Sequence, residues 1–125
     1  MKPLVCLFAV AALVASCGSQ GTKLASQDKT RACLTAHGVR LGGALDFVAT
    51  TATGGALKAH LADNDATVVF GATVADADNI NQAYHRFHSR NVGIDDVLRQ
   101  QGNVVMLWHQ HPSDADLSRI TSCLK

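Results

Sequence analysis

The chain has 125 residues, with 11 lysine and arginine side chains against 10 acidic ones, and aromatic residues make up only 5% of it. This length suffices for one domain with a core of its own and leaves no room for a second. The balanced charge forms no basic stripe, so nucleic acid is not an expected partner.

The first 17 residues have the pattern of an export signal. Lys2 supplies a positive charge, and residues 4–14 form an apolar run of about 11 residues, shorter than the roughly 20 that a membrane-spanning helix needs. The run ends in VASC, residues 14–17. This ending resembles the lipobox of bacterial lipoproteins, whose cysteine receives a diacylglycerol and becomes the first mature residue. The resemblance implies a signal peptide over residues 1–16 and lipidation of Cys17.

Lipidation predicts where the protein resides. Two acyl chains hold a protein on a bilayer, whereas a single chain does so only marginally. We therefore expect the membrane as a partner and a lipid-anchored location on the extracytoplasmic face of the cell membrane. The alternative is an ordinary cleaved signal, in which case the protein is secreted. Residues 17–25 are small and polar and predict a flexible tether, which leaves residues 26–125 as a single domain.

Two cysteines, Cys33 and Cys123, lie near the two ends of the predicted domain. An exported chain enters an oxidising space, where such a pair forms a disulfide. The alternative is a pair of buried free thiols. Neither cysteine belongs to a CxxC motif, so a structural bridge is the simpler interpretation.

Helical and extended patterns follow one another along the domain. Ser26 is a candidate N-cap for a first helix, and Gly38 is a candidate end for it. Helices are predicted at residues 29–37, 73–89 and from Ser113 to about 124. Residues 39–41 are predicted to be an extended entry into the sheet, and strands are predicted at residues 45–49, 57–61, 67–70, 95–100 and 104–109.

Turn residues between these strands predict how the strands pair. The turn at residues 63–65 joins two strands into a hairpin, and the glycine-containing turn at 101–103 joins two more. Hairpins indicate an antiparallel sheet, and the continuous apolar run 104–108 predicts a strand inside it. The expected fold is α+β, a two-layer sandwich with about four to five strands and helices on one face. We expect the disulfide Cys33–Cys123 to join its N- and C-terminal helices.

The domain also resembles uncharacterised exported proteins of actinobacteria. The shared features are Cys33-Leu34 followed by Gly38, the run GNVV at 102–105, and a closing Cys123-Leu124. These motifs are structural, so the resemblance implies a fold and no activity.

Six histidines in so small a chain suggest a metal site. His109 and His111 are two residues apart at the end of a predicted strand and share a face. His85 and His88 are three apart on a predicted helix and can meet at one ion. Neutral imidazoles suit zinc or copper. Nothing in the sequence brings the two pairs together, so solvated or helix-capping histidines remain the simpler interpretation.

No catalytic pattern stands out. Ser113 is close to His111 and Asp114 in sequence, but sequence neighbours do not make a triad, and Ser113 suits a helix cap better. We therefore predict a non-enzymatic lipoprotein without a cofactor, which binds an envelope protein or a small ligand. The alternative is an envelope metal-binding protein that uses His109 and His111, with His85 or His88. A small hydrolase is the third and least supported class.

Overall fold

The structure, a computed structural model, describes residues 23–87 and 93–125, which form five helices and five strands. The helices are α1 (Gln27–Ala36), α2 (Phe47–Thr50), α3 (Val74–Phe87), α4 (Ile94–Val97) and α5 (Asp114–Thr121). The strands are β1 (Arg40–Leu41), β2 (Ala56–His60), β3 (Asp65–Phe70), β4 (Leu98–Gln101) and β5 (Val104–Trp108). The predicted signal peptide, Cys17 and His88 lie outside the described residues.

The five strands form one sheet in the order β1-β2-β3-β5-β4, and each strand is antiparallel to its neighbours. The predicted hairpins β2–β3 and β4–β5 are confirmed, and β5 lies inside the sheet as its apolar run predicts. Short turns permit only antiparallel pairing, because a parallel neighbour needs a long crossover. The α+β class is therefore confirmed.

Local capping fixes both ends of α1 and the start of α5. The hydroxyl of Ser26 accepts a hydrogen bond from the backbone N–H of Lys29 at 3.3 Å. The chain leaves α1 at Gly38, whose φ of 77° is a conformation that side chains with a Cβ rarely adopt. The hydroxyl of Ser113 accepts from the N–H of Asp116 at 3.1 Å. These predicted caps are confirmed.

Two predicted strands are wrong in whole or in part. Residues 45–49 contain the start of α2, because the carboxylate of Asp46 accepts from the N–H of Ala49 at 2.9 Å and caps a short helix. Residues 95–100 begin inside α4, and only the last part belongs to β4. An alternation over five or six residues does not distinguish a strand from a short capped helix.

Both faces of the interior strands are covered. Val68 and Val69 point to opposite faces of β3, yet both side chains are fully buried. Helix α3 packs on the face of Val69, where Gln100 of β4 donates a hydrogen bond to Asp78 at 2.8 Å. The helical cover is therefore more extensive than the single face predicted, because strands that are apolar on both sides need a layer on each.

Helices α1 and α5 cover the opposite face, beneath which the indole of Trp108 is buried. Leu34 of α1 and Ile120 of α5 are fully buried. The disulfide between Cys33 of α1 and Cys123 joins α1 to the segment just after α5, and the two Cα atoms are 5.6 Å apart across 90 residues of sequence. The predicted bridge is confirmed.

A buried asparagine fixes the start of the domain. Asn103, 2% exposed, accepts a hydrogen bond from the backbone N–H of Ala25 and donates one to its carbonyl, both at 2.9 Å. It donates a further bond to the carbonyl of Gly71. Ala25 was predicted as the last residue of the flexible tether, but this pairing makes it part of the packed domain.

Among the described helices, none is long and apolar enough to cross a membrane.

Candidate binding groove

Helix α3 leaves part of its sheet face open. A row of side chains crosses the sheet there in register, from β2 through β3 and β5 to β4: Lys58, Thr67, Leu107 and Leu98. Residues directly opposite one another on neighbouring antiparallel strands share a face, so the row is fixed by the strand register. The sequence predicts the strands but not which end of this face stays open.

A groove of about 470 Å³ lies over the first three residues of this row, Lys58, Thr67 and Leu107. This volume is in the range of small-ligand sites in proteins. Five apolar residues line the groove, Ala44, Leu45, Val97, Leu107 and Trp108. Four ionisable residues also line it, Asp46, Lys58, Asp65 and His109, and Thr67 completes the lining. The groove thus combines an apolar floor with charged side chains.

A second polar row borders the groove. The register places Arg40, His60 and Asp65 side by side, and the backbone N–H of His109 donates to the carbonyl of Asp65 at 2.9 Å. The Nδ1 atom of His60 lies 2.8 Å from the carboxylate of Asp65, and its Nε2 atom contacts the carbonyl oxygen of Gly42. Both ring nitrogens therefore face oxygen acceptors. A further depression of about 350 Å³ adjoins the groove and shares Asp65 and His109 with it.

One wall of the groove is held by a buried tyrosine. The hydroxyl of Tyr84 in α3 donates to the carboxylate of Asp46, which also caps α2. Burial raises the pKa of Tyr84, and the carboxylate of Asp46 raises it further, so the hydroxyl stays protonated and acts as a donor.

Helix α4 forms another wall, and two histidines bind its exposed acidic residues. The Nε2 atom of His85 lies 3.0 Å from the carboxylate of Asp95, and the Nδ1 atom of His111 lies 2.7 Å from that of Asp96. The carbonyl of Asn81 and the carboxylate of Asp95 raise the pKa of His85. Two neighbouring aspartates thus connect α4 to α3 and to the segment after β5.

The three candidate metal ligands that the structure describes, His85, His109 and His111, do not form a common cluster. His109 lies at the groove, whereas His85 and His111 each pair with a separate aspartate. His88, the fourth candidate, is not among the described residues. The strand ends at Trp108, so His109 and His111 do not continue one strand face.

Within the described residues, one group of three possible metal ligands is close together, and sequence reasoning missed it. It consists of Cys33, His37 and Cys123, whose ligand atoms all lie within 4.8 Å of one another. A signal was present in the sequence, since Cys33 and His37 are four residues apart on a predicted helix and so share a face.

An exposed aromatic pair lies outside the groove. Phe47 and Phe87 are 74% and 64% exposed, and their rings meet edge to face with centroids 6.5 Å apart.

Among the residues that line the groove, in the part of the chain described, there is no serine or cysteine to act as a nucleophile. Comparisons of the chain with protein-family models, curated proteins and solved structures found no match.

Proposed function

We propose that this chain is an exported lipoprotein, anchored to the membrane through Cys17, whose domain binds a small ligand in the groove without catalysing a reaction. The observation that carries the binding role is the open part of the sheet face, where Lys58 and the apolar Leu107 lie in one row on either side of Thr67. A ligand with an apolar part and an anionic group matches this pair. No step of this role needs a cofactor.

The disulfide supports export. Cys33 and Cys123 bridge two distant parts of the chain, and such bridges persist in oxidising compartments outside the cytosol. The leader with its VASC ending at residues 14–17 supports the lipid anchor. A secreted form without lipid remains the alternative to the anchored one.

Metabolic labelling with an alkyne fatty acid tests the anchor. We expect label on the wild type and none on Cys17→Ser, because a lipobox-type signal attaches the diacylglycerol to the cysteine that ends it, here Cys17. Cys6→Ser, a matched change within the leader, should keep the label. Equal labelling of the Cys17 and Cys6 variants would contradict lipidation at Cys17, and no label on the wild type favours plain secretion.

Fluorescence of an anilinonaphthalene sulfonate tests the groove, because this probe joins an aromatic ring system to an anionic sulfonate. We expect the wild type to enhance its fluorescence, Leu107→Gln to abolish the enhancement and Lys58→Gln to weaken it. Phe87→Ser is the control, since it removes an exposed aromatic ring outside the groove. If only Phe87→Ser loses binding, the probe binds at the aromatic pair of Phe47 and Phe87, and the groove is not the binding site.

The alternative function, an envelope metal-binding protein that uses His109 and His111, gains no support from the side-chain contacts. The imidazole of His111 is engaged by Asp96, and His85 by Asp95. A zinc titration of the oxidised protein tests this alternative. A rise in melting temperature that the His109→Ala/His111→Ala double variant abolishes would restore it.

A further inference from the structure

We infer that reduction of the disulfide converts the junction of α1 with the C-terminus into a zinc site formed by Cys33, His37 and Cys123. This inference is independent of the proposed lipid anchor and of the groove. It concerns a part of the molecule that the binding role does not use.

The three side chains already surround a common point. The Nδ1 atom of His37 lies 3.7 Å from the sulfur of Cys33 and 4.0 Å from the sulfur of Cys123. Cys33 lies in the last turns of α1 and His37 is its C-cap, so the helix holds these two ligands four residues apart on one face. The third ligand comes from the segment just after α5.

The donor set and spacing fit zinc. Two thiolates and an imidazole are ligands that zinc binds at about 2.3 Å and about 2.0 Å, and two sulfurs on one tetrahedral ion are then about 3.8 Å apart. The Cα atoms of the two cysteines, 5.6 Å apart, accommodate such a separation. The imidazole of His37 now contacts the carbonyl of Cys33 at 2.7 Å, and because the residue is exposed the ring is free to turn toward an ion.

The chemistry balances with a phosphine as the reductant. The phosphine gives two electrons to the disulfide and becomes its oxide with an oxygen atom from water, while the S–S bond breaks and each sulfur takes up a proton. Zinc then displaces both thiol protons to solvent. The ion carries two positive charges and the two thiolates carry two negative ones, so the site is neutral. Its fourth position is left to water.

The consequence is that α1 and the C-terminal segment can be joined either covalently or by a metal. Thr30 supports the same junction in both states, because its hydroxyl donates to the carbonyl of Cys123 at 3.4 Å. The metal would replace the stabilisation that reduction removes, since an ion bound only by the folded chain shifts unfolding by mass action.

The test uses the full chain with Cys6→Ser and Cys17→Ser in every sample, so that only the two disulfide cysteines remain. After phosphine reduction and its removal under argon, zinc should raise the melting temperature, and cobalt should give the thiolate charge-transfer absorption of a tetrahedral site. The oxidised chain should show neither effect. His37→Ala should weaken zinc binding by at least the roughly 10–100-fold that loss of an outer-sphere partner costs.

The His109→Ala/His111→Ala double variant is the matched control and should bind zinc as the parent does. If the reduced chain unfolds, refolding upon addition of zinc supports the site, and failure to refold overturns it. Zinc binding that is unchanged in His37→Ala, or equal in the oxidised chain, also overturns it.

Discussion

The hydroxyl of Tyr84 lies 2.8 Å from one carboxylate oxygen of Asp46 and 3.0 Å from the other, so a single side-chain pair ties α3 to the N-cap of α2. The two residues are 38 positions apart in sequence. Their contact joins the longest helix to the segment that forms one wall of the groove.

Removing this hydroxyl is expected to lower stability. Tyr84→Phe keeps the buried ring but deletes the hydrogen bond to a carboxylate, and bonds to charged groups are worth roughly 1.5–3 kcal/mol. Because Asp46 is exposed, we expect a loss of about 1.5 kcal/mol, measured by urea unfolding. Asp46→Ala should cost more, because it also removes the cap of α2. If the Tyr84→Phe/Asp46→Ala double variant loses as much stability as the two single losses added together, the two residues do not interact.

Asn103→Ala is expected to be one of the most destabilising single changes outside the apolar core. It leaves the N–H and carbonyl of Ala25 and the carbonyl of Gly71 without their partner, so we expect a loss of about 3 kcal/mol in urea unfolding. The matched control is Asn79→Ala, an exposed asparagine on α3, which should change stability by no more than about 0.5 kcal/mol. Equal effects of the two variants would disprove the role of Asn103.

The disulfide is expected to supply much of the stability of the domain. Its cysteines are 90 residues apart, and the chain-entropy model assigns such a loop about 4–5 kcal/mol. The Cys33→Ser/Cys123→Ser double variant and the metal-free reduced wild type should therefore share a much lower urea midpoint. A thiol titration that finds both cysteines free in the untreated protein would rule out this prediction.

The pair His85–Asp95 predicts a pH dependence. The folded protein raises the pKa of His85 above its ordinary value of 6.5, first through the carbonyl of Asn81 and then through Asp95. A raised pKa means that this contribution to stability is fully present below about 6.5 and is lost as pH rises through the folded-state pKa.

We therefore expect the melting temperature of the wild type to decrease slightly more than that of His85→Gln between about pH 5 and pH 8. The difference should be small, because the pair is exposed and such pairs contribute at most about 1 kcal/mol. His109→Gln serves as the control for losing a histidine without this contact. If the melting temperature of His85→Gln decreases more than that of the wild type over this pH range, the prediction is wrong.

The structure also shows why some sequence predictions were right and others were not. The caps at Ser26 and Ser113 and the turn at residues 63–65 were predicted because each depends on a few adjacent residues. The strand at 45–49 was wrong because the same local chemistry was missed at Asp46, which caps a helix in a segment whose apolar residues alternate.

The predictions about metal ligands failed for a different reason. The spacing of His109 and His111 suggested a shared ligand face, but the strand ends at Trp108 and His111 turns to Asp96. Cys33 and His37 had the spacing of a ligand pair, and the predicted bridge placed Cys123 beside Cys33, but only the fold shows that His37 lies close to both sulfurs. Spacing within a segment predicts which residues share a face, and it carries no information about the third ligand.

By itself, then, the sequence determined the α+β class, the two hairpins and the cysteines available for a bridge, because patterning, turn chemistry and residue type are properties of short segments. Only the tertiary structure decided which part of the sheet face stays open as a groove, and which partners Tyr84, His85 and Asn103 find. Those outcomes depend on how segments far apart in the chain pack against one another, and the local periodicity of each segment is compatible with many packing arrangements.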